Sequence, residues 1–366
     1  MSAIAKRYLF INPFGIGDVL FTTPLLTALK ENNPENYIGY WCNERVKELF
    51  KNHPKIDTIF PLSRGDLKKH FARSRIDGIK RFLRLMQELR KHRFDVVFDF
   101  SLDHRYGFIC KILNIPKRIG FNYKNRGRFL THAIPISGYS GAHVVDHYLK
   151  LLQFEGIEAT NRGLSLFVPE SDYVKSKILL ETFGIRDTDL IIGIAPAAGA
   201  SWGKNAAYKH WPAVKFAHVA DKLIKNHGAK IILLADASEK TVTETMLFAM
   251  KNRPLDLTGK TTLEELRAVI AQCSLIVTND GGPLHMATAL GIKTVSIFGP
   301  VDEKTYGPYP ASNDHRVVTY PVTCRPCYKN FRMNTCDRDR ECLNMISEAD
   351  VYNAIAQLLP ERTRHE

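Results

Sequence analysis

The sequence predicts an α/β protein made of two Rossmann-like halves, each carrying a parallel sheet. Three observations predict it. Short apolar runs end in turns rich in Gly, Pro, Asn and Asp, as fully buried parallel strands do. Longer stretches with helical periodicity follow those runs. The alternation also starts twice, at Tyr8 and at Ile191, on either side of a link over residues 160–173. At 366 residues the chain is long enough for two ordinary domains. The expected division is 1–165, 166–345 and a closing helical segment, 346–366.

The elements follow in order. Tyr8 to Ile11 is the first expected strand, and Asn12 to Asp18 a loop. Val19 to Lys30 has helical periodicity, which Pro24 should kink or break. The loop holds Gly15 and Gly17, but Leu20 stands at the third glycine of the dinucleotide fingerprint. That weighs against an NAD-linked sugar-modifying enzyme. Ile38 to Trp41 and Val96 to Phe100 are further strands. Between them, residues 62–93 are dense in positive charge, including Arg64, Lys68, Lys69 and Arg73. Interleaved Ile79, Phe82, Leu83, Leu85, Met86 and Leu89 predict an amphipathic helix with a basic face. Lys117, Arg118, Lys124, Arg126 and Arg128 form a second basic cluster. In the second half, strands are expected at Ile191 to Ile194, Ile231 to Leu234, Leu275 to Thr278 and Thr294 to Phe298. Helices are expected at Ala213 to Lys225, Glu239 to Met250, Leu263 to Ala271 and Asp350 to Leu359.

The formal charge of +13, from 51 basic and 38 acidic residues, calls for an anionic partner. The basic stripe matches no nucleic-acid motif and has no aromatic stacking platform, so a nucleic acid is not the expected one. No run approaches the ~18 apolar residues of a membrane span. The N-terminal MSAIAKRYLFI enters a strand-like run without an apolar leader, so a cytoplasmic protein is expected. Seven cysteines, an odd number, do not suit a secreted disulfide scaffold.

Chemistry concentrates at the turn Asn279-Asp280-Gly281-Gly282, which lies between a strand and a helix that Pro283 starts. Open α/β sheets bind ligands at such strand ends. The free N–H groups of the helix start favour a phosphate. Asp280 can accept hydrogen bonds from ribose or sugar hydroxyls, and His285 lies in the first helical turn. Asp18 sits at another strand-to-helix junction, where a carboxylate can simply complement the helix dipole. Cys324, Cys327, Cys336 and Cys342 follow a C-x₂-C-x₈-C-x₅-C spacing that suits a four-thiolate structural metal site, zinc or iron.

These strings resemble glycosyltransferase family 9, the heptosyltransferases, over most of the chain. Asp280, Gly282 and His285, with the following A-x-A-L-G and F-G-P, match its signature; Gly281 stands where the family has Ser or Thr. Gly15, Gly17, Asp18, Val19, Leu20, Pro24 and Leu25 match its N-terminal motif. Gly199-Ala200-Ser201 and Lys209-His210-Trp211-Pro212 resemble two further segments, here separated by a longer insert, Trp202 to Tyr208. The resemblance implies a GT-B fold, two Rossmann-like domains facing across a cleft, with the closing helix of 346–366 returning towards the first domain. It implies an inverting transferase with Asp18 as catalytic base and Lys209 neutralising the departing diphosphate. Gly199, Ala200, Ser201, Asp280, Gly281, Gly282 and His285 would hold an ADP-sugar donor. Arg64, Lys68, Lys69 and Arg73 would meet an anionic lipopolysaccharide-core acceptor, with peripheral contact at the cytoplasmic face of the inner membrane. No catalytic metal is expected, because Lys209, Ser201 and the helix start at Gly281-Gly282 would neutralise the diphosphate. A protein-directed heptosyltransferase of the same family is the alternative, suggested by the cysteines.

Overall fold

The computed structural model describes residues 4–197 and 199–359, with backbone only at Ala200, Ser201 and Lys204. The chain divides into two compact units, Met1–Phe167 and Val168–Glu366. Each is built around six parallel strands.

In the first unit the strands are β1 (Arg7–Ile11), β2 (Tyr37–Cys42), β3 (Thr58–Pro61), β4 (Val96–Asp99), β5 (Lys117–Tyr123) and β6 (His132–Ile136). They pair in the order β3-β2-β1-β4-β5-β6. In the second unit they are β7 (Ile191–Ala195), β8 (Lys230–Leu233), β9 (Leu255–Asp256), β10 (Leu275–Asn279), β11 (Lys293–Phe298) and β12 (His315–Thr319). Their order is β12-β11-β10-β7-β8-β9. Read from the third strand of each unit, the two orders are identical, and they are the doubly wound Rossmann order. The chain reverses direction across each sheet between β1 and β4, and between β7 and β10. Of those four strands, β4, β7 and β10 are buried along their whole length.

The first unit carries α1 (Ile16–Leu20), α2 (Thr23–Asn32), α3 (Arg64–Arg73), α4 (Arg75–Lys91), α5 (His104–Ile112) and α6 (Val144–Leu149). The expected helix from Val19 is therefore two helices. Pro24, which has no N–H to give, sits in the first turn of the second. The single amphipathic helix expected over the basic stretch is also two. Ser74 ends α3 and its hydroxyl accepts from Asp77 N (3.3 Å), capping α4.

The second unit carries α7 (Glu170–Thr182), α8 (Ala213–His227), α9 (Lys240–Ala249), α10 (Leu263–Gln272), α11 (Gly282–Ala289), α12 (Glu303–Tyr306), α13 (Glu341–Asn344) and α14 (Glu348–Ala356). Helix α10 starts in a capping box: Thr262 Oγ1 accepts from Glu265 N (3.2 Å), and Glu265 Oε2 accepts from Thr262 N (2.8 Å). Helix α14, from the expected closing segment, packs against α8, β11 and β12 of the second unit. Trp211 anchors this side. It is fully buried, edge-on to Phe216, and its Nε1 donates to Ile346 O (3.1 Å). Among the described residues no helix is long and apolar enough to cross a membrane.

Candidate active site

In the second unit the sheet delivers Asp280 at the carboxyl end of β10, next to the chain-reversal point. Gly281, in extended backbone, is the N-cap of α11, so Asp280 does not cap that helix. Its carboxylate turns instead to Lys209. The Lys209 ammonium lies 2.7 Å from Asp280 Oδ2, and both side chains are almost sealed from water, at 2% and 7% exposure. The Trp202 ring covers the ammonium at 4.0 Å, a cation–π contact in a desolvated place. Trp202 belongs to the insert between the two family-like segments. That insert folds as a tight helical stretch, Ala200–Lys209, kinked at Gly203. The longer spacing thus ends with Lys209 beside the signature turn.

Asn279 organises the loops around this pair. Its Nδ2 donates to Pro196 O (2.7 Å) after β7, and its Oδ1 accepts from Trp211 N (3.0 Å). One amide therefore ties the ends of two adjacent strands to the segment that carries Lys209. Gly199 follows β7 with φ +86°, a conformation that favours glycine. Its N–H donates to Glu239 Oε1 (2.7 Å), so Glu239 fixes the shape of this loop. The side chains of Ala200 and Ser201 lie outside the described structure. His285 is buried near the start of α11, after Gly282, Pro283 and Leu284. His210, adjoining Lys209, is pushed down to about 4 by burial and by the nearby Arg340 and Lys209 charges. It is neutral near pH 7.

In the first unit Asp18 lies on α1, directly after the β1 loop and beside the chain-reversal point of that sheet. It is half-buried. Its Oδ2 accepts from Gly15 N (3.3 Å), the helix-capping role open to any such carboxylate. The loop is held from both sides. Asn12 Nδ2 donates to Asp18 O (2.9 Å), and Asn43 Nδ2 donates to Phe14 O (2.6 Å). Across the reversal point stands Asp99, at the end of β4, accepting from Ser101 N (2.9 Å). Burial raises its carboxyl from 3.8 to about 6. Asp99, Asn43 and Trp202 carry no motif that singles them out: Asp99 is an ordinary strand end, Asn43 acts through a contact distant in sequence, and Trp202 meets Lys209 only through the fold of the insert.

Lys68, Lys69 and Arg73 are exposed on α3, while Arg64 Nη1 lies 3.4 Å from Asp103 Oδ2. The second basic cluster is partly committed to structure. Lys117 pairs with the buried Glu155 (2.6 Å), and Arg118 Nε donates to Phe129 O (2.7 Å). Cys324, Cys327, Cys336 and Cys342 line one cavity of about 20 Å³, with Tyr208, Arg338 and Arg340 beside them. Burial and the neighbouring thiols raise Cys342 to about 11. Among the described residues no group of three or more His, Cys, Asp or Glu side chains is arranged to hold a metal ion.

Residues 82–336 match the family model for glycosyltransferase family 9 (heptosyltransferase). The chain is 27% identical to lipopolysaccharide heptosyltransferase 2 of Salmonella typhimurium, over 85% of this chain and 87% of that one. Its fold is similar to a crystal structure of a glycosyl transferase family 9 protein from Veillonella parvula, with a TM-score of 0.81 at 24% identity over 98% of both chains. It is similar too to the structure of the E. coli ADP-heptose lipopolysaccharide heptosyltransferase II, with a TM-score of 0.73 at 21% identity, covering 96% of this chain and 98% of that one.

Proposed function

This chain belongs to glycosyltransferase family 9 and is a glycosyltransferase; from that premise we propose that it transfers heptose from ADP-heptose to a lipopolysaccharide inner-core acceptor, in the cytoplasm, with inversion. The printed activities of its relatives support the donor and acceptor classes. The observation that carries the reading is the sealed Lys209–Asp280 pair at the foot of α11. A fixed cation and a helix N-terminus stand at one point, which is what a departing diphosphate needs.

In the proposed reaction an acceptor hydroxyl attacks the anomeric carbon. The new C–O bond forms as the bond to the diphosphate breaks, and ADP leaves from the opposite face. Asp18 takes the hydroxyl proton. A carboxylate is a much weaker base than an alkoxide, so the proton moves late, after the new bond is largely made. Lys209, Ser201 and the N–H groups at Gly281 and Gly282 stabilise charge on the leaving group. Asp280 and His285 orient the donor. Arg64, Lys68, Lys69 and Arg73 hold the anionic acceptor. The test is incubation with ADP-heptose and truncated inner-core acceptors, with a polypeptide acceptor in parallel, followed by mass analysis. Heptose added to the core glycolipid is the expected product. Addition only to polypeptide would replace this acceptor with the protein-directed one.

We also propose that Cys324, Cys327, Cys336 and Cys342 hold a structural zinc or iron. The four thiols line one small cavity in a spacing that suits a four-thiolate site, although the described side chains are not arranged to hold an ion as they stand. Such a metal would cross-link the 324–342 loop and take no part in transfer. Metal analysis of the purified protein should find about one ion per chain, lost in Cys324→Ser/Cys327→Ser. A metal-free, fully active protein would end this proposal.

A further inference from the structure

Lys209 is sealed against Asp280, but a lysine stem is flexible, and its ammonium goes where the backbone sends it. The helical stretch Ala200–Lys209 ends at this residue, and His210 is already extended. The last carbonyls of such a stretch have no partner within it. Arg340 supplies one. Its Nη1 donates to Ala207 O (3.3 Å) and to His210 O (3.5 Å), one on each side of Lys209 in the chain. A cation at that end also suits the helix dipole. A second handle lies on the ammonium itself. Trp202 covers it, and the Tyr328 and Trp202 rings meet edge to face, with centroids 5.0 Å apart.

Arg340 and Tyr328 belong to one segment, the loop of the four thiols. The spacing of its cysteines says nothing of the donor site, yet the loop is pinned beside it. Pro300 O accepts from Cys327 N (2.8 Å) and from Tyr328 N (3.0 Å). Arg325 Nε donates to Gly299 O (2.6 Å), and Arg325 Nη2 lies 2.7 Å from Glu303 Oε2. Leu343 closes on Gly299 so tightly that an added methyl would sit 2.6 Å from its Cγ. Gly299 and Pro300 follow β11, and Ile297 O of β11 accepts from Asp280 N (3.2 Å). The loop therefore takes its footing from the strand beside Asp280 and reaches across to Lys209 at two points.

We infer that Arg340 and Tyr328 are positioning residues of the donor site: Arg340 sets the backbone of Lys209, and Tyr328 holds Trp202 over its ammonium. The inference rests on the reading of Lys209 as a diphosphate ligand. It gives the loop a part in donor binding through these two side chains and not through its thiols. The test is ADP affinity, by calorimetry on the full chain. Arg340→Ala and Tyr328→Ala should each weaken ADP binding about tenfold. Arg340→Lys keeps a donating cation and Tyr328→Phe keeps the ring, so both should bind within about twofold of wild type. In a Lys209→Met background neither alanine should weaken ADP further, because both act through Lys209. Acrylamide quenching of tryptophan fluorescence gives a second readout. Trp202 is one of three tryptophans, and the other two, Trp41 and Trp211, are only 3% and 0% exposed, so quenching reports on Trp202. Tyr328→Ala should raise it and Tyr328→Phe should not. Unchanged quenching in Tyr328→Ala would overturn the proposal, as would losses of ADP affinity that add to that of Lys209→Met. If Lys209→Met is weakened but the alanine variants are not, the proposal alone fails. If Lys209→Met binds ADP like wild type, the reading of Lys209 fails and takes the proposal with it.

Discussion

Lys209 and Asp280 show how a few atoms shape the proposed donor site. Neither residue alone distinguishes function from an ordinary surface lysine or helix cap. Their 2.7 Å contact, sealed under Trp202, joins them in one desolvated place. A buried ion pair broken on one side leaves an uncompensated charge in a poorly solvated place. Lys209→Met should therefore cost about 3–5 kcal/mol in urea denaturation, and adding Asp280→Asn should recover a large part of it. Equal and additive losses in the two single variants would contradict a coupled pair. Asp99 makes the opposite point, a buried carboxyl that pairs with no cation among the described residues. Its folded value of about 6 exceeds the unfolded 3.8, so the native state holds the proton more tightly. Stability should then fall as pH rises from about 4 to about 6, by roughly 3 kcal/mol at most, and stay lower above that. Asp99→Asn removes this slope. The variant should gain on wild type as pH rises from 4 to 7, in denaturation curves collected across that range. A difference that does not change with pH would exclude the effect.

Among the elements, the central strands were legible and the edges were not. β1, β4, β7 and β10 are short continuous apolar runs, because both faces of a parallel sheet are covered. β6 and β12 are half-exposed and mixed in composition, so no apolar run marks them. β5 was visible only as part of a basic cluster, although Ile119 and Phe121 are buried within it. Helical periodicity over Ile79 to Leu89 was legible, since α4 contains all of it, but not which apolar side chains turn inward: Leu85 and Leu89 are buried, while Ile79 and Leu83 are exposed. Close packing is likewise invisible before the fold is known. Gly120 on β5 lies opposite Asp99, where an added methyl would sit 2.5 Å from the Asp99 carbonyl oxygen. Backbone cannot yield as a side chain can. Gly120→Ala should lower stability by about 2 kcal/mol or more, read as a fall in melting temperature. An unchanged melting temperature would mean that the strands separate freely there.

At the scale of the whole chain, two sheets of the same strand order carry the candidate groups at equivalent points, after the first and fourth strands. Asp18 follows β1, Gly199 follows β7, and Asp280 follows β10. The motifs were legible because strand–turn–helix junctions have a strong local signature. Their meeting was not, since Asn279, Trp211 and the 200–209 insert bring Lys209 to Asp280 across a long stretch of chain. The division of labour proposed here has the second unit holding the donor and Asp18 of the first taking the proton. It is tested most directly by mass analysis of heptose transfer from ADP-heptose by Asp18→Asn, alongside its ADP affinity. The account predicts no transfer above background, with ADP bound within about twofold of wild type, because the base acts in the transition state and not in donor binding. Turnover near wild type in Asp18→Asn would contradict it.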